Sequence, residues 1–116
     1  EVIGVEPEPE LAAAASATLR ELEIGNARIV RDALAGGHAA GAPYDAILIN
    51  GSVPSVPDAL FDQLSEGGRL AAIIASSVQP RVWLYVKAGG AVSGVPHFDV
   101  GAKSLPGFAP APQFAF

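Results

Sequence analysis

Two stretches of this chain are apolar at every position: Ala46-Ile47-Leu48-Ile49, set between Asp45 and Asn50, and Leu70-Ala71-Ala72-Ile73-Ile74-Ala75, which follows Arg69. Runs of this length without polar alternation are the form taken by strands covered on both faces, as in a parallel sheet between layers of helix. Parallel neighbours need crossover connections, so an α/β fold is the architecture that the chain must satisfy. With 116 residues, it has room for one domain, spanning residues 1–116.

The remaining elements fit that frame. Val2 to Val5 is a short apolar run stopped by Glu6-Pro7-Glu8-Pro9, because two prolines cannot continue a central strand. Pro9 suits the first position of a helix, and Glu8 and Glu10 lie where carboxylates favour its N-terminus. Leu11, Ala15, Leu19 and Leu22 recur at near-helical spacing as the expected buried stripe, and Gly25-Asn26 supplies the stop. Ala27 to Val30 reads as a strand, and the small residues from Ala35 to Pro43 read as a loop with one helical turn. Ser55 and Pro57 announce a helix through Leu60, Phe61 and Leu64, ended by Glu66-Gly67-Gly68 before the second apolar run. After Ser76-Ser77-Val78-Gln79-Pro80, Val82, Leu84 and Val86 alternate with bulkier or polar residues, Gly89-Gly90 turns the chain, and the stretch from Val92 to Val100 returns antiparallel. A tail carrying Phe108, Phe114 and Phe116 needs a surface to pack on.

Charge removes several functions. Seven Lys and Arg against twelve Asp and Glu give a formal charge of −5, so nothing basic is available to neutralise a phosphate backbone, and neither nucleic acid nor an anionic membrane is an expected partner. No apolar run approaches the roughly 20 residues of a membrane span. The chain therefore reads as a cytoplasmic protein. It has no cysteine, which excludes thiolate metal sites and a Cys nucleophile. His38 and His97 stand apart from any pattern of acidic or histidine ligands, so no metal is expected. The chain also has no methionine and opens on Glu1-Val2-Ile3 inside a strand, as a piece of a longer protein would.

Open parallel sheets bind ligands beyond the carboxyl ends of their strands, which directs attention to a few residues. Glu6 ends the first strand, where a carboxylate can accept both hydroxyl protons of a ribose; the competing reading is a solvated acid favoured by a helix dipole. Asp32 follows the next strand, where it can take an adenine amino hydrogen or cap a turn. Asn50-Gly51-Ser52 leaves the first apolar run at the same edge, and its small residues let a ligand approach the backbone, as they would also in an ordinary strand-to-helix loop. Asp45 begins its strand and reads as structural, and Trp83 and Tyr85 share a strand face as core or interface. No nucleophile elbow or Ser/His/Asp arrangement is visible, so no catalytic residue is assigned. These features also suit a fragment of a nicotinamide-dependent dehydrogenase, against which the carboxyl-terminal hairpin argues, or a non-catalytic α/β binding module.

The strings VIGVEPEPELAAAA (Val2 to Ala15), NARIVRDAL and APYDAILINGSVPSVPDALFDQLSEGGRLAAII resemble the protein-L-isoaspartate O-methyltransferase family over almost the whole chain. Glu6 matches the family's ribose-binding acid, Glu8-Pro9-Glu10-Leu11 its helix start, and Asp32 the acid near the adenine. The stretch Pro43 to Ile47 and the turn Leu64 to Leu70 match its middle, and Leu105-Pro106-Gly107-Phe108 is similar to the ending of a divergent bacterial branch. The resemblance implies a partial Rossmann-like fold that binds S-adenosylmethionine, with Glu6, Asp32, Asn50, Gly51 and Ser52 as cofactor-binding residues and an isoaspartyl-containing protein or peptide as substrate. It implies a mostly parallel sheet ordered 3-2-1-4-5-7-6 in family numbering, with an antiparallel carboxyl-terminal hairpin. This chain begins at the second of those strands. The family's first strand, its Gly-rich loop and its amino-terminal substrate region are not in it, and Asn50-Gly51-Ser52 replaces the usual Thr/Ala-rich stretch. Missing a central strand leaves two inner edges unpaired, so self-association through those edges, or a rearranged sheet, is expected.

Overall fold

The computed structural model describes residues 1–75 and 79–108. Its strands form two sheets. In the first, β1 (Val2–Val5) and β2 (Ala27–Val30) pair in parallel from Val2↔Ala27 to Val5↔Val30. They are joined by α1 (Pro9–Glu21), which carries Pro at its first turn and Glu10 beside it. The second sheet holds β3 (Tyr44–Val53), β4 (Leu64–Ile74), β5 (Arg81–Ala88) and β6 (Ala91–Asp99) in that order. β3 and β4 are parallel, with α2 (Asp58–Asp62) in their crossover, and β4-β5-β6 is an antiparallel meander.

The α/β class and the carboxyl-terminal hairpin follow the sequence reading; the order of the last strands corrects it. The sheet runs in chain order, where the resemblance implied that the final two strands change places. Ile74 pairs directly with Arg81 and Arg69 with Val86, so the strand that follows β4 in the chain is also its antiparallel neighbour in the sheet. Gly89 and Gly90, both in the left-handed region at φ 62° and 77°, then turn β5 into β6. Both glycine amides donate to the Glu66 carboxylate, which ties that turn to the start of β4.

The core lies on one face of the larger sheet. Ile49 and Val53 of β3, Leu70 and Ala72 of β4, Leu60 of α2 and Leu64 are buried together, with Phe61 and Tyr85 packed against them. The Phe61 and Tyr85 rings meet with centroids 5.0 Å apart and tilted by 60°, and Trp83 stacks on Tyr85 at 6.1 Å, which places both strand aromatics in the core. Among the described residues the opposite face is left largely open. Leu48 is 73% exposed and Val95 58%, so the continuous apolar run of β3 is buried on one side, not on both. Among the described residues the helices do not reach that face: α1 packs against β2, and α2 has only five residues on the core side.

Three boundaries also move. α1 turns Ala12, Ala15 and Leu19 inward, so the middle of the predicted stripe packs as expected while its two ends, Leu11 and Leu22, are exposed, the first turn packing through Ala12 instead. α2 ends at Asp62, and Leu64 lies on β4, where it pairs with Tyr44 before a bulge carries the Gly67 turn. β3 runs through Val53, since Ser52 and Val53 still pair with Ile73 and Ile74; Asn50 therefore does not mark its exit. The predicted break at Ser76-Ser77 and the packing of Phe114 and Phe116 lie outside the described residues.

Leu70 is fully buried, and replacing it with Ala opens a cavity in the centre of the packed face. Leu70→Ala is expected to cost about 2–5 kcal/mol in urea denaturation. Burial raises the Tyr85 pKa above its ordinary value of 10.0, since the phenolate loses solvation. A raised pKa favours the folded state while the phenol stays protonated. That contribution is complete below pH 10 and is lost as pH climbs through the folded value. Above pH 10 the wild type should lose stability faster than Tyr85→Phe, as read by denaturant midpoints across the alkaline range.

Candidate functional site

Between the open edge of β1 and the open edge of β3 runs a cleft of about 1080 Å³. One side is the length of β1 from Glu1 to Glu6; the other is residues 44–50 of β3. This is the place that the resemblance gives to a strand absent from the chain. One end is closed by the loop after β2, through Leu34, Gly37, His38 and Gly41.

That loop is held by Gln63, a buried polar side chain between α2 and β4. Its Nε2 donates to the Gly36 carbonyl at 2.8 Å and its Oε1 accepts from the His38 amide at 3.1 Å. Gly37 between them has φ 59°, and a Cβ there would fall 2.7 Å from Gln63 Oε1, so glycine is required on both counts. The His38 carbonyl in turn accepts the Tyr44 hydroxyl proton at 2.5 Å. His38 thus acts through its backbone, in keeping with the packing role expected of an isolated histidine. No group of three or more metal-ligating side chains occurs among the described residues.

The predicted site residues divide into those at the cleft and those beside it. Glu6 lines the cleft just beyond β1, and its Oε1 accepts the Glu8 amide proton at 3.1 Å, which orients the carboxylate at the start of α1. Asn50 lines the cleft from β3. Gly51 and Ser52 are buried and do not line it. Asp32 is exposed beyond β2, with Oδ1 accepting the Ala33 amide proton at 2.8 Å in a turn cap. The register Val5↔Val30 brings Glu6 and Asp32 out at the same end of their sheet. Asp45 is structural as expected, accepting from the Ser65 hydroxyl at 3.1 Å.

At Asn50 the β3–β4 ladder breaks. Ile49 pairs with Ala72 and the next pair is Ser52 with Ile73, so Asn50 and Gly51 have no partners on β4. On the other edge, the Ser52 amide donates to the Lys103 carbonyl and the Leu105 amide to the Ser52 carbonyl, both at 2.9 Å. Leu105 then lies on Gly51 so closely that a Cβ at Gly51 would meet its Cγ at 2.4 Å. The close approach that Gly51 permits is therefore filled by the chain's own segment. Leu105 and Phe108 line the same cleft as Glu6 and Asn50, and sequence reasoning did not place them there. Two apolar residues flanking a Pro106-Gly107 turn were the available signal.

The comparisons with known proteins agree with this geometry. Residues 1–100 match the family model described as protein-L-isoaspartate(D-aspartate) O-methyltransferase (PCMT). A Methanococcus aeolicus protein-L-isoaspartate O-methyltransferase is 36% identical over 103 residues, covering 83% of this chain and 48% of the relative. One from Anaeromyxobacter is 40% identical over 78 residues, covering 66% and 37%. A solved protein-L-isoaspartate O-methyltransferase superimposes with a TM-score of 0.85 at 27% identity, over 91% of this chain and 34% of the other. A Plasmodium falciparum crystal structure titled as a protein-L-isoaspartate O-methyltransferase, in complex with S-adenosyl-L-homocysteine, gives 0.77 at 25% identity over 90% and 51%.

The fold is thus a partial Rossmann-like methyltransferase fold. The chain belongs to the protein-L-isoaspartate(D-aspartate) O-methyltransferase family, and it spans about half the length, or less, of the curated relatives it matches. Among the described residues no helix is long and apolar enough to cross a membrane. Because Leu105 occupies the space over Gly51, Gly51→Ala is expected to cost about 1–3 kcal/mol through overpacking, visible as a lower midpoint in calorimetry.

Proposed function

We propose that this chain is the cofactor-binding part of an S-adenosylmethionine-dependent methyltransferase that esterifies an isoaspartyl carboxylate in damaged proteins. The observation that carries the reading is that Glu6 and Asn50 stand just beyond the carboxyl ends of β1 and of the apolar run of β3, on the two borders of the cleft, in a chain of this family. The relative solved with S-adenosyl-L-homocysteine supports the choice of ligand over a nicotinamide cofactor.

The residues present fit such a ligand. The Glu6 carboxylate is turned by the Glu8 amide just beyond the carboxyl end of β1, at the end of the cleft rather than along the length that the family's first strand takes. It accepts the ribose hydroxyl protons. Asp32, emerging at the same end, takes the adenine amino hydrogen. Asn50 lines the floor near the methyl group, from the bulge it forms with Gly51, and Ser52 resumes the pairing behind it. When bound, S-adenosylmethionine supplies a methyl group activated by its sulfonium. An ionised substrate carboxylate is already nucleophilic, so the protein's task is to hold oxygen and methyl in line rather than to remove a proton. No group of the described chain is needed as a base.

A cytoplasmic setting and an isoaspartyl protein or peptide partner belong to the same proposal. So does self-association of the 116-residue chain, supported by the unpaired edges of β1 and β3 and by the exposed Leu48 face. Sedimentation velocity should show dimers or larger species at micromolar concentration, and a single monomeric boundary would remove that part.

The cofactor role is tested in the whole protein by calorimetric titration with S-adenosylhomocysteine, with a nicotinamide dinucleotide as control. Glu6→Ala should weaken the first by roughly ten- to a hundredfold, the worth of hydrogen bonds to a charged group, and leave the control without heat. Unchanged affinity would take Glu6 out of the site.

A further inference from the structure

The break in the β3–β4 ladder poses a physical question. Asn50 and Gly51 have no β4 partner, yet Asn50 must be fixed if it is to present a carboxamide to a ligand. The tie comes from the far edge of β3. Residues 103–105 bracket Ser52 with two backbone bonds of 2.9 Å, and Leu105 sits on Gly51 at a separation that no side chain at position 51 could share. Leu105 and Phe108 also pack against the core cluster, so the segment is anchored to the sheet as well as to the bulge.

We propose that residues 103–108 are a clamp on the carboxyl end of β3's apolar run, with Leu105 a positioning residue that pins the Asn50-Gly51 bulge from the open edge of β3 and so fixes where Asn50 stands at that end of the cleft. The role of the cleft rests on the function proposed above; the clamp itself rests on the contacts. Leu105 also lines the cleft, and the double variant below separates its action through Asn50 from a contact of its own. Its branched carbons replace the missing β4 pairing, and the glycine at position 51 is what lets them come close enough.

The test compares Leu105→Ala, Leu105→Met, Asn50→Ala and the Leu105→Ala/Asn50→Ala pair in the whole protein, by two measurements. Hydrogen exchange needs no ligand: Leu105→Ala should speed exchange of the Ser52 and Leu105 amides by roughly tenfold or more, and Leu105→Met, which keeps most of the bulk, should restore protection. Calorimetry with S-adenosylhomocysteine should show Leu105→Ala and Asn50→Ala each weakening binding by roughly tenfold, with the pair no worse than Asn50→Ala alone. A leucine that merely filled space would lower the melting midpoint and add its loss to that of Asn50. Unchanged exchange in Leu105→Ala, or losses that multiply in the pair, would overturn the clamp. If the wild type binds no S-adenosylhomocysteine, the cofactor reading falls while the exchange comparison still decides whether Leu105 pins the bulge.

Discussion

The parallel pairing of β3 with β4 is the interaction on which the rest of the structure depends. It brings Ile49 and Val53 beside Ala72 and Ile74, creates the face on which Leu60, Leu64 and the Phe61–Tyr85 pair assemble, and leaves the other edge of β3 without a strand partner up to the bridge that Ser52 makes with Ser104. Where its ladder skips Asn50 and Gly51, the chain gains a position that pairing does not dictate. Bulges re-aim side chains at the margins of sheets, and here the re-aimed residue borders the cleft. The stable face and the irregularity at the cleft are two outcomes of one strand pair.

Much of this was readable from residue order. The double proline after Val5 ended β1 and opened α1 because ring geometry and a missing amide leave few alternatives. The apolar runs gave β3 and β4, and alternation in Val82, Leu84 and Val86 gave β5. The burial of β3 on one face only was not legible. An apolar run states that a strand can be covered, but coverage depends on which helices reach it, and that is a property of the whole assembly. The order of the last strands escaped for a related reason: it is decided by the pairing of Ile74 with Arg81, a long-range choice with no local signature.

The candidate site was legible in part. Glu6 and Asn50 were singled out because strand ends in open sheets are where ligands meet the backbone, and the structure places both on the border of the cleft. Gly51 was noticed for the right physical reason, its tolerance of close approach, while the group that approaches came from Leu105, more than fifty residues away. Gln63 drew no attention because a glutamine between a helix and a strand reads as surface. Only the fold reveals that its amide meets a carbonyl and an amide of the 34–41 loop, leaving no buried side-chain polar atom unpartnered among the described residues.

The Gln63 link has a mechanical consequence. The wall of the cleft formed by Gly37 and His38 carries little apolar bulk of its own. Bound through one carboxamide to a residue wedged between Leu60 and Leu64, it borrows stiffness from the hydrophobic interior. A guest entering the cleft therefore presses against something as unyielding as the core, and a loosened interior would be felt first as a blurred rim.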